Sequence, residues 1–164
     1  ELISRSLSDT NRVKNFLSQH QGSPLEWTLK KRWLMYLANV GLSQPYLKNY
    51  QMGTDTVLDC YALQLRLQNE PAAKIWPAVT DIWTVGESRP KECDALFSRW
   101  QKAGRRTPEV IWARLINVAN GGDERIIPYL RTLLPKNQQY LGDILVIMDL
   151  EYHVENGHLV HDAP

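Results

Sequence analysis

The sequence is poor in cysteine and in long apolar runs, and its charges nearly cancel. Only two cysteines occur in 164 residues, too few for a disulfide scaffold and without the C-x-x-C spacing of zinc and thiol-redox motifs. No apolar run reaches the roughly 18 residues of a membrane-spanning helix. Lys and Arg number 19 against 18 Asp and Glu, so the chain lacks the basic character of a nucleic-acid binder. These absences predict no membrane span and no nucleic-acid partner.

What the sequence does contain is apolar residues at helical spacing. They recur at i, i+3, i+4 and i+7 in five stripes: Leu29, Trp33, Tyr36, Leu37 and Val40; Ala72, Ile75, Trp76, Val79, Ile82 and Trp83; Cys93, Leu96, Phe97 and Trp100; Ile111, Trp112, Leu115, Ile116 and Ala119; Ile126, Ile127, Leu130, Leu133 and Leu134. Residues 144–148 are β-branched enough to suit a strand, but their helical context favours a helix. We therefore predict an all-α chain with helices near residues 9–20, 25–39, 43–50, 55–68, 72–85, 90–103, 108–120, 123–134 and 138–150.

Helix breakers separate these stripes and suggest where the helices begin and end. Thr107 precedes Pro108, a pair that is typical of an N-cap followed by the first helical residue. The run Asn120-Gly121-Gly122 predicts a helix end with a left-handed residue.

The helices after residue 54 are spaced as antiparallel pairs with a period of about 33 to 35 residues, the period of tetratricopeptide-like repeats. One fragment shows the repeat directly, because Cys60-Tyr61-Ala62-Leu63 returns as Cys93-Asp94-Ala95-Leu96. The rest of the tetratricopeptide consensus is absent. We predict an α-superhelix, or solenoid, of degenerate antiparallel helix pairs over residues 1–150, followed by a C-terminal tail over residues 151–164.

The two cysteines occupy the same position in successive repeats, on helices that a solenoid places side by side. Such placement can bring their Cα atoms within the roughly 4.4–6.8 Å that a disulfide needs. The spacing alone leaves two alternatives open, a Cys60–Cys93 disulfide or two buried free thiols acting as small core residues.

No group in the sequence is predicted to be catalytic, to bind a cofactor or to hold a metal. The acidic pairs Asp123–Glu124 and Asp149–Glu151 lie at predicted helix ends, where carboxylates are expected to complement the helix dipole or to be solvated. Residues 152–162 contain three histidines with Glu155 and Asp162, but their spacing matches no helical ligand pair, so a solvated tail is expected.

Two basic clusters and six tryptophans complete the list of candidates. Lys30-Lys31-Arg32 and Arg105-Arg106 are predicted to be solvated or to form salt bridges, with contact to anionic groups of a ligand as the alternative. Trp76, Trp83, Trp100 and Trp112 lie on apolar stripes and are predicted to be core residues. Trp27, at a helix start, is the tryptophan we expect to be exposed.

The segment Ile82–Trp100 resembles a stretch of the helical N-terminal region of soluble lytic murein transglycosylases, with the pattern W-x-x-G-x-S-x-P-x-x-C-D-x-L-F-x-x-W. The resemblance covers roughly residues 10–142 and implies a U-shaped α-superhelix. The family's members are periplasmic enzymes that cleave peptidoglycan glycan strands and leave 1,6-anhydromuramic ends, using a separate lysozyme-like domain. An oxidising periplasm would favour the Cys60–Cys93 disulfide.

The sequence departs from the family in lacking its catalytic motifs. Glu87-Ser88 is followed by Arg89-Pro90, not by the pattern around the family's catalytic glutamate, and the Gly-Leu-Met-Gln and Ala-Tyr-Asn-Ala-Gly segments do not occur. The resemblance thus implies a periplasmic, non-catalytic scaffold module that guides glycan strands or positions a catalytic domain. The alternative is a free-standing helical-repeat adaptor that binds a protein partner.

Overall fold

The computed structural model of the chain describes residues 7–144, which are helical throughout apart from their connections. The α-helices are α1 Thr10–Gln19, α2 Pro24–Asn39, α3 Ser43–Asn49, α4 Thr56–Arg66, α5 Ala72–Trp83, α6 Asp94–Lys102, α7 Pro108–Ala119 and α8 Ile127–Leu133. Residues 139–144 are also helical. Since residues 7–144 contain no strand, the predicted all-α class is confirmed. Within the same residues, no helix has the length and apolarity to cross a membrane.

Within residues 7–144 the predicted helix boundaries agree with the structure to within a few residues, and side-chain caps explain two of them. The predicted end of the last helix, at residue 150, lies outside the described residues. The Asp9 carboxylate accepts a hydrogen bond of 3.0 Å from the Arg12 backbone at the start of α1. The Asp55 carboxylate does the same for Leu58 at the start of α4, at 3.1 Å. Thr107 occupies the N-cap position of α7, as predicted. Its side chain, however, makes no capping hydrogen bond to the helix backbone.

Three predicted helices begin with a turn of 3-10 helix before the α-helix is established. These turns are Lys91–Cys93 ahead of α6, Glu124–Ile126 ahead of α8 and Lys136–Gln138 ahead of residues 139–144. The Cys93 backbone N–H donates to the Pro90 carbonyl at 3.0 Å, a tighter pattern that is common at the N-termini of helices. The predicted end of α7 is confirmed, since Gly121 follows it with φ of 103°.

The chain divides into two compact units. Of the described residues, one unit contains 7–75 together with Pro90–Leu96, and the other contains Trp76–Arg89 and residues 97–144. The predicted tail, residues 151–164, lies outside the described residues, so the predicted division at residue 150 stays a prediction.

The core of the first unit is formed by residues of α1 to α4 and by Leu7, which precedes α1. Its buried members are Leu7, Val13, Trp33, Leu34, Leu37, Tyr46, Leu58, Ala62 and Leu65. The Tyr46 hydroxyl reaches through this core and donates to the Leu58 carbonyl at 2.6 Å, so its polar atom is satisfied where it is buried. Burial raises the pKa of Tyr46, which keeps it a neutral donor.

A polar network fixes the connection between α3 and α4. The buried Asp59 carboxylate accepts hydrogen bonds of 2.8 Å from the Tyr50 hydroxyl and from the Gly53 backbone. Beside it, Asp55 forms an ion pair of 2.6 Å with Lys31 of α2. Lys31 of the predicted basic cluster is thus a salt-bridge partner, one of the two roles expected for it.

Acidification is expected to weaken this connection through Asp55. Burial by itself would raise the pKa of Asp55, but hydrogen bonds from Lys31 and Leu58 outweigh it and the pKa is lowered. A carboxylate with a lowered folded pKa stabilises the fold above its unfolded pKa, and that contribution is lost as pH falls through the folded value.

We therefore compare the wild type with Asp55→Asn, which keeps a capping side chain but carries no charge. Near neutral pH, urea unfolding should give the wild type a free energy of unfolding about 0.5–1 kcal/mol higher than that of Asp55→Asn. The difference is small because Lys31 is partly exposed, and it should disappear below about pH 4. A difference in unfolding free energy that stays constant from neutral to acidic pH would contradict the role given to Asp55.

Candidate functional site

The two tryptophans of the family-like pattern lie in the interior of the second unit. Trp83 of α5 and Trp100 of α6 pack with ring centroids 5.3 Å apart, and they are 3% and 0% exposed. The indole N–H of Trp100 donates to the Thr80 hydroxyl at 3.1 Å. Both rings are core residues, as predicted, so they are not available to stack on a ligand.

A buried arginine completes this cluster, and the sequence analysis missed it. The Arg114 guanidinium lies 4.6 Å from the centroid of the Trp83 ring, and Nη2 donates to the Glu87 carbonyl at 2.9 Å. Arg114 is 5% exposed, and burial, aided by nearby Arg89, lowers its pKa. Arg89 in turn pairs with the Glu87 carboxylate at 3.1 Å. These contacts hold the turn between α5 and α6.

The glycine of the pattern is required by a close approach of backbone segments. A Cβ on Gly86 would lie 2.6 Å from the Asn117 carbonyl oxygen, closer than a side-chain carbon can be accommodated. The Gly86 carbonyl also accepts a hydrogen bond of 2.9 Å from the Asp123 backbone, and the Asn117 amide donates to the Thr84 carbonyl at 2.7 Å. The turn is thereby fixed against the end of α7.

The two cysteines form a disulfide within the first unit. Cys60 and Cys93 are bonded, with their Cα atoms 5.2 Å apart, and both residues are fully buried. The adjacent Gln64 side chain donates to the Glu92 carbonyl at 3.2 Å. The disulfide prediction is confirmed, and the alternative of two free thiols is wrong. The repeat fragments that contain the cysteines lie side by side, as the 33-residue period indicated.

Of the two acidic pairs singled out in the sequence, the structure describes Asp123–Glu124, and Asp123 does not have the surroundings of a proton donor. Asp123 accepts from the Arg125 backbone at 3.2 Å and from its Nε at 2.7 Å, and Arg125 lowers the pKa of Asp123. Glu124 begins the neighbouring 3-10 turn. The pair Asp149–Glu151 and the histidine-containing tail lie outside the described residues. Among residues 7–144 no group of His, Cys, Asp and Glu is arranged to hold a metal ion.

The remaining sequence candidates differ in exposure. Trp27 is 40% exposed, as predicted, whereas Trp112 is half-buried and donates to the Gln138 side chain at 2.9 Å. Ile116, predicted to lie on a buried stripe, is 53% exposed. Of the second basic cluster, Arg105 is exposed and Arg106 is half-buried.

Exposed cations continue from Arg105 along the end of α6. Arg99, Lys102 and Arg105 are all exposed, and none of them forms an ion pair with a carboxylate of residues 7–144. We call these three residues the α6 basic row. A row of this kind can attract carboxylates, with a strength that depends on salt.

The first unit also carries an apolar groove between α1 and α2. Its volume is about 360 Å³, and it is lined by Leu7, Arg12, Val13, Phe16, Leu25, Thr28, Leu29 and Arg32. We call it the α1–α2 groove. The α2 members are spaced i, i+3, i+4 and i+7, so they share one helix face. Arg32, from the first predicted basic cluster, lies here and is exposed.

Relatives among the curated proteins are soluble lytic murein transglycosylases. The protein of that name from Escherichia coli K12 is 24% identical over 136 residues, which are 82% of this chain and 21% of that protein. Its counterpart from Salmonella typhimurium is 26% identical over 73 residues, 44% of this chain and 11% of that protein. No protein-family model matches the chain.

Solved structures give the same result, one of them at higher identity. An inactive mutant of the lytic transglycosylase Slt from Pseudomonas aeruginosa matches with a TM-score of 0.75 and 34% identity over 86% of this chain. The chain is homologous to a segment of the soluble lytic transglycosylases. It covers 24% of that Pseudomonas chain, so it spans about a quarter of the length of such relatives. The 70-kDa soluble lytic transglycosylase from Escherichia coli shares the fold, with a TM-score of 0.67 at 21% identity over 90% of this chain.

The homology to lytic transglycosylases confirms the resemblance and gives the pattern in residues 82–100 a structural meaning. Its tryptophans fill the core of the second unit, its glycine allows backbone segments to meet, and its cysteine closes the disulfide of the first unit. In this transglycosylase-related chain the family-like residues therefore stabilise the helical fold.

Proposed function

We propose that this chain is a non-catalytic, periplasmic scaffold module of a peptidoglycan-cleaving lytic transglycosylase. Residues 1–150 would form a superhelical domain that shapes a ring, guiding glycan strands or positioning a lysozyme-like catalytic domain, and residues 151–164 would form a tail. The observation that carries the proposal is that the tryptophans and the glycine of the family-like pattern are buried in the helical fold. Trp83, Gly86 and Trp100 make their contacts inside the helical fold, which suits a role in building a surface.

The described carboxylates also suit a scaffold better than an enzyme. A glycosidase needs a carboxyl group with a raised pKa, usually opposite a second carboxylate. Glu87, in the Glu-Ser pair, is paired with Arg89. Asp123 has its pKa lowered by Arg125, so it stays ionised and cannot donate a proton near neutral pH.

Incubation of the purified chain with peptidoglycan sacculi tests the absence of chemistry. We expect no soluble 1,6-anhydromuropeptides above a buffer blank, whereas a full-length soluble lytic transglycosylase in a parallel sample should release them. Products are measured by mass spectrometry of the supernatant. Release by this chain alone would overturn the non-catalytic assignment.

Glycan handling would come from the exposed polar surface. The α6 basic row places three cations that are unpaired among the described residues along one helix end, where the carboxylates of stem peptides and lactyl groups could be attracted. Exposed charges act weakly and are screened by salt, so this contact would be loose and reversible. Loose contact suits a surface along which a strand moves.

A second candidate function, a helical adaptor that binds a protein partner, is favoured by the α1–α2 groove. Apolar grooves between helices are a recurrent way to bind an amphipathic helix. The two functions use different surfaces, since the groove lies on α1 and α2 and the basic row on α6 and the residues after it.

A further inference from the structure

We propose that the α1–α2 groove binds an acidic amphipathic helix of a partner protein. The inference goes beyond the scaffold function, because a helix in this groove requires no contact with glycan. It rests on the apolar lining of the groove, on the two arginines that line it, and on the polar surface that extends it along α1.

The centre of the groove is apolar, and part of it faces solvent. Val13 and Leu7 form its buried floor, and both belong to the core of the first unit. At its edge Leu25 is 64% exposed, so its apolar side chain is accessible to a bound helix. The helical spacing of the lining residues offers a matching surface to apolar side chains at i, i+3, i+4 and i+7 of a bound helix.

Charge selects the kind of helix. Arg12 from α1 and Arg32 from α2 both line the groove and are exposed. None of the described lining residues carries a carboxylate, and neither arginine forms an ion pair with a carboxylate of residues 7–144. The nearby Asp9 carboxylate is used to cap α1 through the Arg12 backbone. A bound helix with Glu or Asp flanking its apolar face would supply the missing partners.

The surface is elongated, which favours a helix over a compact ligand. A second, polar depression adjoins the groove and shares Arg12 and Phe16 with it. It is lined in addition by Asp9, whose carboxylate caps α1, and by Asn11, Asn15 and Gln19, which lie at i, i+4 and i+8 along α1. An apolar centre beside a polar rim is the usual composition of a protein interface.

Binding is tested with the full 164-residue chain and a fluorescein-labelled helical peptide. The probe is about 18 residues long, carries Leu at i, i+3, i+4 and i+7, and has Glu on both flanks of that face. One matched probe replaces Glu by Lys, and another scrambles the Leu positions. We expect saturable fluorescence anisotropy with a Kd on the order of 10 μM for the Glu probe, and at least about tenfold weaker binding of the other two.

Exposed variants of the chain then locate the site. Arg12→Glu/Arg32→Glu should weaken binding by about tenfold, and Leu25→Ser by about fivefold. The matched controls Arg99→Glu/Arg105→Glu and Leu42→Ser, which alter exposed residues elsewhere, should stay within about twofold.

Three results would overturn the proposal. One is no saturable binding of the Glu probe up to about 1 mM. Another is equal affinity for the Glu and Lys probes, since charge would then select nothing. The third is self-association of the chain at about 100 μM that Leu25→Ser abolishes, because the groove would then be covered by a second copy.

Discussion

Replacing Trp83 by alanine should destabilise the chain by about 3–5 kcal/mol, the usual cost of emptying a tryptophan site in a packed core. The indole is 3% exposed and packs on Trp100. It also lies beside the buried Arg114 guanidinium, which would lose its aromatic neighbour. The free energy of unfolding, measured in urea by far-ultraviolet circular dichroism, gives the comparison.

Trp27→Ala is the matched control, because it removes the same side chain from a helix position that is 40% exposed. It should cost no more than about 1 kcal/mol. If Trp83→Ala unfolds at the same urea concentration as the parent chain, the packing described for the second unit is wrong. The helix phase on which that packing depends would be wrong with it.

Loss of the Cys60–Cys93 disulfide is expected to cost about 3–4 kcal/mol in the chain-entropy model. The cysteines lie 33 positions apart in the sequence, so the bond restricts a sizeable loop of the unfolded chain. Cys60→Ala/Cys93→Ala should unfold at a lower urea concentration than the oxidised parent. Reduction of the parent with dithiothreitol should bring it close to the variant.

The variant itself provides the control, because its stability should not respond to dithiothreitol. Alkylation under non-reducing, denaturing conditions, followed by mass spectrometry, should find no free thiol in the oxidised parent. Two alkylated thiols would show that the bond is absent. An oxidised parent that is no more stable than the variant would contradict the energetic role of the disulfide.

The helices and their phase could be predicted because apolar periodicity and breakers are local features of the sequence. The buried faces of α5 and α6 were expected on this basis, and Trp76, Trp83 and Trp100 are buried. The disulfide needed more information. Spacing left it open, and the resemblance to periplasmic enzymes favoured it.

Side chains at the edges of a stripe could not be assigned in the same way. In α7 the buried residues are Ile111, Arg114, Leu115 and Val118, an i, i+3, i+4, i+7 series that contains a cation. Ile116 follows Leu115 by one position, a rotation of about 100° that moves it out of the buried face.

The α1–α2 groove and the Arg114 cluster depend on tertiary packing, so neither could be recognised from local sequence patterns. Arg12 and Arg32 are separated by 20 positions and lie on different helices. Arg32 was noted only as part of a basic cluster. Its neighbour Lys31 forms an ion pair with Asp55, whereas Arg32 lines the groove. Two residues of the same basic cluster therefore have different roles.

The scaffold function is tested most directly by co-sedimentation of the purified chain with intact peptidoglycan sacculi. We expect the chain in the pellet at low salt and in the supernatant as salt is raised, because exposed cations would mediate the contact. Arg99→Glu/Lys102→Glu/Arg105→Glu should reduce pelleting, while Arg12→Glu/Arg32→Glu should pellet like the parent. A chain that remains entirely in the supernatant at low salt would contradict a glycan-guiding surface on this module.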